Sequence, residues 1–241
     1  MARSLIETLD GAAIPIEPKD VSSNTTAIVA NGTPWFEMAR WKVALDYSVL
    51  ALEPLNPKDV YDTLCKDGYD NNGHSKTIVT ITKNPQTGED ELSGTVRLVL
   101  GKNQAGSEKD QDGLYPLDAM GLMSAQWPHR TEGLPDFRAG ELGRFVLPDH
   151  YRTKPMREAG VHKFLTSQLF SKAWEVSQAS GITHLYAIMP VHVNRLVSQA
   201  GIATNEIEAA RLRTDSEEAA ALFAKFPRYW GLSPKLYRFI K

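Results

Sequence analysis

The first third of the chain passes from an irregular segment into a helical one. Residues 1–33 are small, polar and interrupted by proline, with one short apolar stretch at residues 27–30, which predicts a loosely structured N-terminal extension. After Pro34, apolar residues recur at spacings of three and four, which is typical of an amphipathic helix. The apolar face of this helix comprises Phe36, Ala39, Val43, Tyr47 and Leu50. A second, shorter helix is predicted within residues 56–68.

The middle of the chain has the pattern of extended strands. Residues 76–82 (KTIVTIT) and 92–100 (LSGTVRLVL) are rich in β-branched residues and enclose a turn-forming segment, which predicts a β-hairpin. Residues 101–115 are polar and rich in glycine, aspartate and lysine, which predicts a loop. A further strand is predicted at residues 140–147 (GELGRFVL).

The last part of the chain alternates between helices and strands. The most regular helical pattern covers residues 154–181, and a buried strand is predicted at residues 183–190. Two more helices are predicted at residues 191–201 and 214–226, and a closing strand at residues 235–241.

This order of elements predicts an α+β (mixed α/β layered) fold. The strand–helix–strand segment between residues 141 and 190 is long enough for a crossover, so its two strands are expected to be parallel neighbours in a mixed sheet flanked by helices. Residues 34–241 are expected to form one domain that follows the N-terminal extension of residues 1–33.

Composition narrows the functional classes. The formal net charge is −2, which gives no general support for nucleic-acid binding, and no apolar run is long enough to cross a membrane. Glu7 and Asp10 interrupt the segment where a signal peptide needs an apolar core, so a cytoplasmic protein is expected. Cys65 is the single cysteine and the six histidines lack ligand spacing, so neither a disulfide framework nor a metal site is predicted.

Three short motifs carry the candidate chemistry. An acidic pair, Asp67 and Asp70, precedes the hairpin in DGYD, and Arg97 lies near the hairpin's end in GTVRLVL. Glu141 and Arg144 belong to ELGRFVL on the next predicted strand. In this order, the motifs resemble those of the GNAT acyltransferase superfamily, most closely its branch of acyl-homoserine-lactone synthases and N-acyl amino acid synthases. The resemblance implies the GNAT fold, with a central mixed sheet flanked by helices.

The resemblance also implies roles for these residues. Glu141 corresponds to the proposed general base, and Arg144 belongs with it to the catalytic set. Arg97, Asp67 and Asp70 correspond to the substrate-binding set, in which the arginines orient the acidic loop and the amine substrate. Because residues three apart on a regular strand point to opposite faces, Glu141 and Arg144 need not touch each other. The alternative is an ion-pair network that only orders loops.

A cluster of cations follows the Glu-Arg strand. Arg152, Lys154 and Arg157 lie where CoA-dependent members of the superfamily carry a glycine-rich phosphate-binding loop, but the Gly-x-Gly/Ala pattern is missing here. Such a loop suits a single phosphate or an acidic carrier surface, and acyl carrier protein presents both. We therefore expect no permanently bound cofactor and an acyl-phosphopantetheine donor, carried by acyl carrier protein as partner or by CoA. The alternative is a solvated charged loop.

One position departs from ordinary acetyltransferases. Many of them place a tyrosine four residues before the glycine that ends the short helix, where it protonates the leaving thiolate. Counting back from Gly201 gives Val197 in this chain. The missing tyrosine disfavours a standard acetyl-CoA mechanism.

The resemblance therefore predicts an amide-forming acyltransferase. We expect it to move a fatty acyl group from acyl carrier protein, or from CoA, to the amine of an amino acid or a derivative. An acyl-homoserine-lactone synthase is the alternative within the same class, although Arg40 and Trp41 match that group's early motif only loosely. A GNAT-like domain that binds an acyl ligand or a partner protein without catalysis is the alternative from another class.

Overall fold

The computed structural model describes most of the chain. It covers residues 16–50, 53–65, 74–101, 123–124, 139–208, 210–212, 217–226, 228 and 231–240. The acidic pair Asp67 and Asp70 lies outside the described residues.

The described chain contains both helices and strands. The α-helices are α1 (Pro18–Asn24), α2 (Pro34–Ser48), α3 (Pro57–Val60), α4 (Lys154–Glu158), α5 (Val161–Ala179), α6 (Val191–Gln199) and α7 (Glu217–Lys225). A π-turn follows α3 at Tyr61–Cys65, and a 3₁₀ turn precedes α4 at Asp149–Arg152. The strands are β1 (Thr25–Val29), β2 (Ser75–Lys83), β3 (Asp90–Gly101), β4 (Met123–Ser124), β5 (Ala139–Val146), β6 (His184–Met189), β7 (Thr204–Glu206), β8 (Arg211–Leu212) and β9 (Lys235–Phe239).

Seven of these strands form one mixed sheet in the order β1-β2-β3-β5-β6-β9-β7. The pair β5–β6 is parallel and the other pairs are antiparallel. Helix α5 connects the two parallel strands, as a crossover requires. The predicted α+β fold, a mixed sheet flanked by helices, is therefore confirmed, including the parallel neighbours between residues 141 and 190.

Strand alternation gives the sheet two different faces. One face packs on α5 and is apolar, since Leu98 of β3, Leu142 of β5 and Leu185 of β6 join Leu165 and Leu169 in the main core. The opposite face packs on α2 and carries buried polar residues among the apolar ones. These polar residues include Thr77, Thr95, Arg97 and Glu141.

The described part of the predicted N-terminal extension is ordered within the fold. Residues 18–29 form α1 and β1, and β1 adds an edge strand to β2. Ile16 and Val21 are buried in the main core. The expectation of loose structure is therefore wrong for these residues, while the domain boundary at residues 33 and 34 stays a prediction.

The helix predicted at residues 154–181 is divided in two. Gly160 has a φ of +76°, in the left-handed region, and separates α4 from α5. The apolar spacing continues across this break, so periodicity alone gives one helix. Arg152, Lys154 and Arg157 consequently lie on the 3₁₀ turn and α4, before the N-terminus of α5.

Candidate active site

The two parallel strands at the centre of the sheet separate after three residue pairs. The pairs are Ala139–His184, Gly140–Leu185 and Glu141–Tyr186. Beyond them, β5 continues along β3 and β6 continues along β9. The strands therefore form a fork, with Glu141 and Tyr186 as its last paired residues.

A cavity of about 60 Å³ lies in this fork. Its apolar lining comes from both strands and from the helices beside them, and includes Val96, Leu142, Phe145, Phe170, Met189 and Val193. Tyr47 and Arg144 contribute the polar side chains among the described residues that line it. An apolar cleft with a few polar groups is the usual form of a small-molecule site.

A β-bulge shapes the β5 side of the fork. Thr95 pairs with Val146 and Arg97 pairs with Gly143, so two residues of β5, Arg144 and Phe145, stand opposite one residue of β3. The extra residue inverts the alternation of side chains. Phe145 therefore packs edge-on against Phe170 of α5, with ring centroids 5.4 Å apart, while the following Val146 joins the cluster on the α2 side.

Arg144 has an unusual backbone conformation at this bulge. Its φ is +55°, in the left-handed region that glycine usually occupies. The side chain is half-buried and lines the cavity. The strained conformation thus coincides with the fork, as is common at functional sites.

Glu141 is buried at the apex of the fork, on the face covered by α2. Its exposed fraction is 6%, and its neighbours in register are Val99 on β3 and Tyr186 on β6. Arg97, 4% exposed, lies on the same face and diagonally across the β3–β5 ladder from Glu141. Diagonal neighbours have Cα atoms about 7–8 Å apart, which long side chains can bridge. The structure thus brings Glu141 and Arg97 to one face, and places Arg144 at the cavity.

Tyr47 reaches the cavity from the other layer, at the end of α2. Its ring packs edge-on against Phe226, with centroids 6.2 Å apart. Burial raises the pKa of Tyr47 to about 12, although the nearby charge of Arg144 acts in the opposite direction. The sequence pattern presents Tyr47 only as a member of the apolar face of a helix, so it did not single this residue out.

The cations predicted to bind the donor are exposed and close to carboxylates. Arg152 forms ion pairs with Asp149 and, at 3.4 Å, with Asp46. Lys154 lies 3.7 Å from Glu158 on the next turn of α4. Arg157 is exposed on the same short helix. All three residues lie in the 3₁₀ turn and α4, directly before the start of α5, and we call their exposed side chains the cationic surface.

Asp46 connects this cationic surface to helix α2. Its carboxylate lies 2.8 Å from Lys42 Nζ, as well as near Arg152. Burial raises the pKa of Asp46, and Lys42 opposes that shift. Asp46, which pairs with Arg152, and Tyr47, which lines the cavity, are consecutive residues of α2. The last turn of α2 therefore contacts both the cationic surface and the fork.

Three further findings concern the described residues. Val197, where the resemblance leads one to look for tyrosine, is fully buried in the main core. In the ranges given above, no three His, Cys, Asp or Glu side chains are grouped closely enough to hold a metal ion. Within the same part of the chain, no helix has the length and hydropathy needed to span a membrane.

Solved structures similar to this chain include acyltransferases, all at low sequence identity. FeeM, an N-acyl amino acid synthase from uncultured soil microbes, is 16% identical, with 90% of each chain covered and a TM-score of 0.47. The AHL synthase LasI is 12% identical, with 89% of this chain and 88% of that chain covered and a TM-score of 0.43. An acetyltransferase of the GNAT family from Staphylococcus aureus Mu50 is 13% identical, with 90% and 99% covered and a TM-score of 0.44.

No family model matches the sequence, and a search of curated proteins gave no match. The solved structures to which the chain is similar include GNAT acyltransferases and the N-acyl amino acid synthase and AHL synthase that its motifs resemble.

Proposed function

We propose that this protein is an N-acyltransferase that moves an acyl group from a phosphopantetheine thioester to an amine. The observation that carries the proposal is the fork between β5 and β6, with the buried carboxylate of Glu141 at its apex. The cavity inside the fork has an apolar lining together with the polar side chains of Tyr47 and Arg144, which suits an acyl thioester.

The proposed chemistry uses the two charged residues of the fork, Glu141 and Arg144. The amine nitrogen attacks the thioester carbon, and Glu141 accepts a proton from it directly or through water. The carbonyl oxygen becomes negatively charged in the cavity, where Arg144 stabilises the charge. When the carbonyl re-forms, the C–S bond breaks and the thiolate leaves. The balanced reaction gives an amide and a free thiol.

The acceptor is proposed to be an amino acid or a derivative of one. Arg97 lies on the face of Glu141, so a cationic group is available on the side from which the amine approaches the base. We assign orientation of the acceptor to Arg97 and Arg144. Asp67 and Asp70 would hold its ammonium side before the proton is lost.

The donor is proposed to be acyl carrier protein, with acyl-CoA as the second possibility. The exposed cations Arg152, Lys154 and Arg157 suit the phosphate of the arm and an acidic carrier surface. The cavity in the fork has a volume of about 60 Å³. Since one water molecule needs about 10–15 Å³ of cavity volume, this cavity admits the thioester group and a few carbons of the acyl chain. A fatty acyl chain therefore requires the apolar walls at Phe145 and Phe170 to move apart.

The test is a reaction panel with the purified protein. Acyl carrier protein and CoA carrying acyl groups of two to sixteen carbons are each mixed with amino acids, and released thiol and N-acyl product are measured. We expect amide formation with at least one donor series. S-adenosylmethionine is included as a further acceptor, and an acyl-homoserine lactone formed from it would support the signal-synthase alternative. If no donor gives a product with any acceptor, the result contradicts an acyltransferase.

Glu141→Gln tests the assigned base in the same assay. The turnover rate should fall on the order of 10²-fold or more, the usual scale for a general base, while circular dichroism shows a folded protein. Glu175→Gln is the matched control, since Glu175 is an exposed carboxylate on α5 that pairs with Lys172. Turnover close to that of the wild type in a folded Glu141→Gln variant would remove Glu141 from the mechanism.

A further inference from the structure

The fork contains a tyrosine, Tyr47, that the proposed mechanism has not used. Among the described residues that line the cavity, only Tyr47 and Arg144 have side chains that can donate a hydrogen bond. Tyr47 comes from α2, in the layer opposite α5, so it meets the cavity from the side of Glu141. Tyr47 of α2 and Arg144 of β5 therefore meet at the cavity where the two parallel strands separate.

Tyr47 is held in place by packing. It lies on the last turn of a fifteen-residue helix, and its ring packs against Phe226 in the cluster that also contains Trp41 and Val146. A side chain fixed by its own apolar contacts is preorganised to act on a bound group. An exposed tyrosine on a loop has no such advantage.

The hydroxyl group is also in the protonation state that a donor needs. Burial raises the pKa of Tyr47 to about 12, so the phenol keeps its proton at neutral pH despite the nearby Arg144. A phenol of this acidity donates a hydrogen bond to an alkoxide without transferring its proton completely. The low polarity of the cavity strengthens such a bond.

We propose that Tyr47 is a further catalytic residue, whose hydroxyl group donates a hydrogen bond to the thioester carbonyl oxygen as that oxygen becomes an oxyanion. As the C–N bond forms, the π electrons of the carbonyl move to oxygen, and the hydrogen bond from Tyr47 stabilises the charge. As the carbonyl re-forms, the electron pair of the C–S bond leaves with sulfur. Tyr47 ends the reaction with its own proton, while the proton of the amine passes through Glu141 to the thiolate or to solvent.

This assignment rests on the proposed function and supplies a tyrosine hydroxyl, which helix α6 lacks because it contains no tyrosine. The corresponding position on α6 is Val197, an apolar residue that is buried in the core on the α5 side of the sheet. In this chain, the tyrosine beside the reacting thioester is therefore contributed by α2.

The first experiment compares Tyr47→Phe with Tyr61→Phe. Both changes remove one tyrosine hydroxyl from the α2 layer, but Tyr61 donates its hydrogen bond to Glu37 and does not line the cavity. We expect kcat to fall about 10²- to 10³-fold in Tyr47→Phe, with KM for both substrates within about threefold, as for loss of one oxyanion donor. Tyr61→Phe should keep kcat within about threefold. A folded Tyr47→Phe variant with kcat within threefold of the wild type would overturn the assignment.

The second experiment measures the carbonyl bond itself. A donor with a ¹³C-labelled thioester carbonyl is bound without the amine acceptor, and its stretching frequency is recorded by difference infrared spectroscopy. The frequency should be lower in the wild type and in Tyr61→Phe than in Tyr47→Phe, because the hydrogen bond from Tyr47 polarises the carbonyl beyond the effect of Arg144, which all three proteins keep. An unchanged frequency in Tyr47→Phe would contradict the contact, even if turnover falls for structural reasons.

The two proposals can fail separately. If the wild type forms no amide with any donor, both the acyltransferase function and the role of Tyr47 are refuted. If the wild type is active and Tyr47→Phe is equally active, only the role of Tyr47 is refuted. Incorporating 3-fluorotyrosine at position 47 provides a variant that keeps the shape and the hydroxyl group, and its kcat should stay within tenfold of the wild type.

Discussion

Arg144 shows at the scale of one residue how the fork departs from a regular strand. Its φ of +55° places an arginine where the bulge of β5 favours glycine. A left-handed conformation costs an L-residue about 1–2 kcal/mol. Position 144 therefore keeps a guanidinium group beside the cavity at the expense of stability, as the proposed reaction needs.

This strain predicts the order of stability of two variants. Arg144→Ala and Arg144→Gly both remove the guanidinium group, but only glycine relaxes the left-handed backbone. The glycine variant should be more stable than the alanine variant by up to about 1 kcal/mol, since its greater freedom in the unfolded state offsets part of the gain. Urea unfolding measures the difference. Both variants should lose acyl transfer by at least about tenfold, and an alanine variant as stable as the glycine variant would argue against strain at this position.

Single residues also show where reading the sequence succeeds and where it fails. Glu141 and Arg144 stand out in the sequence because charged residues are rare in buried strands. Both residues lie at the fork. Their relative orientation could not be predicted, because the bulge inverts the alternation from which faces are assigned. Tyr47 could not be singled out at all, since its spacing fits the apolar face of α2.

At the scale of elements, local patterns predict the helices and strands better than their limits. The hairpin β2–β3, the strand β5 and the helices α2 and α6 are close to their predicted positions. Gly160 divides the long helix because the chain turns there through a left-handed conformation, which the apolar spacing does not reveal. Strand β1 was missed because its short sequence becomes a strand only through pairing with β2.

The segment after β5 is anchored to the hairpin by a part-buried hydrogen bond. Tyr151, at the 3₁₀ turn, is fully buried, and its hydroxyl donates to the Glu91 carboxylate on β3. The Nε2 atom of His150 also lies 3.4 Å from Glu91. The bond ties the segment that carries the cationic surface to the central sheet.

Tyr151→Phe should therefore destabilise the protein more than Tyr61→Phe. Each change removes a hydroxyl that donates to a glutamate, but the Glu91 side chain is 22% exposed, whereas that of Glu37 is 46% exposed. We expect a loss of about 1–3 kcal/mol for Tyr151→Phe, because a partly buried carboxylate loses its donor, and less than about 1 kcal/mol for Tyr61→Phe. Chemical denaturation of the two variants gives both values. Equal losses of unfolding free energy would show that the Tyr151–Glu91 hydrogen bond contributes no more than the Tyr61–Glu37 hydrogen bond.

At the scale of the whole molecule, the sheet order joins segments that are distant in sequence. The parallel pair β5–β6 was predictable, since a strand, a helix and a strand in succession favour a crossover. The position of the C-terminal strand β9 between β6 and β7 was not predictable, because the local sequence of a strand does not determine which strands it pairs with. Strand β6 continues along β9 after its pairing with β5 has ended, so both arms of the fork remain part of the sheet.

The whole molecule also has an uneven distribution of charge. The net charge is only −2, yet the exposed cations Arg152, Lys154 and Arg157 fall within a span of six residues just before α5. If an acidic carrier protein delivers the acyl group, this cationic surface should accelerate the encounter through long-range attraction. Salt weakens such attraction, because the Debye length is about 10 Å at 0.1 M ionic strength.

Reversing the charge of this surface distinguishes a carrier protein from a small donor. The double variant Lys154→Glu with Arg157→Glu should lower kcat/KM with acyl carrier protein at least about tenfold, and with a short acyl-pantetheine by less than about threefold. Reversal of Lys58 and Lys235 is the matched control, since it changes the net charge equally and both side chains are exposed and ion-paired elsewhere. Raising the salt concentration should slow the wild type in the same donor-selective way. Equal losses with both donors would assign the surface to phosphate binding or to the fold, and salt-insensitive activity with acyl-CoA alone would favour CoA as the donor.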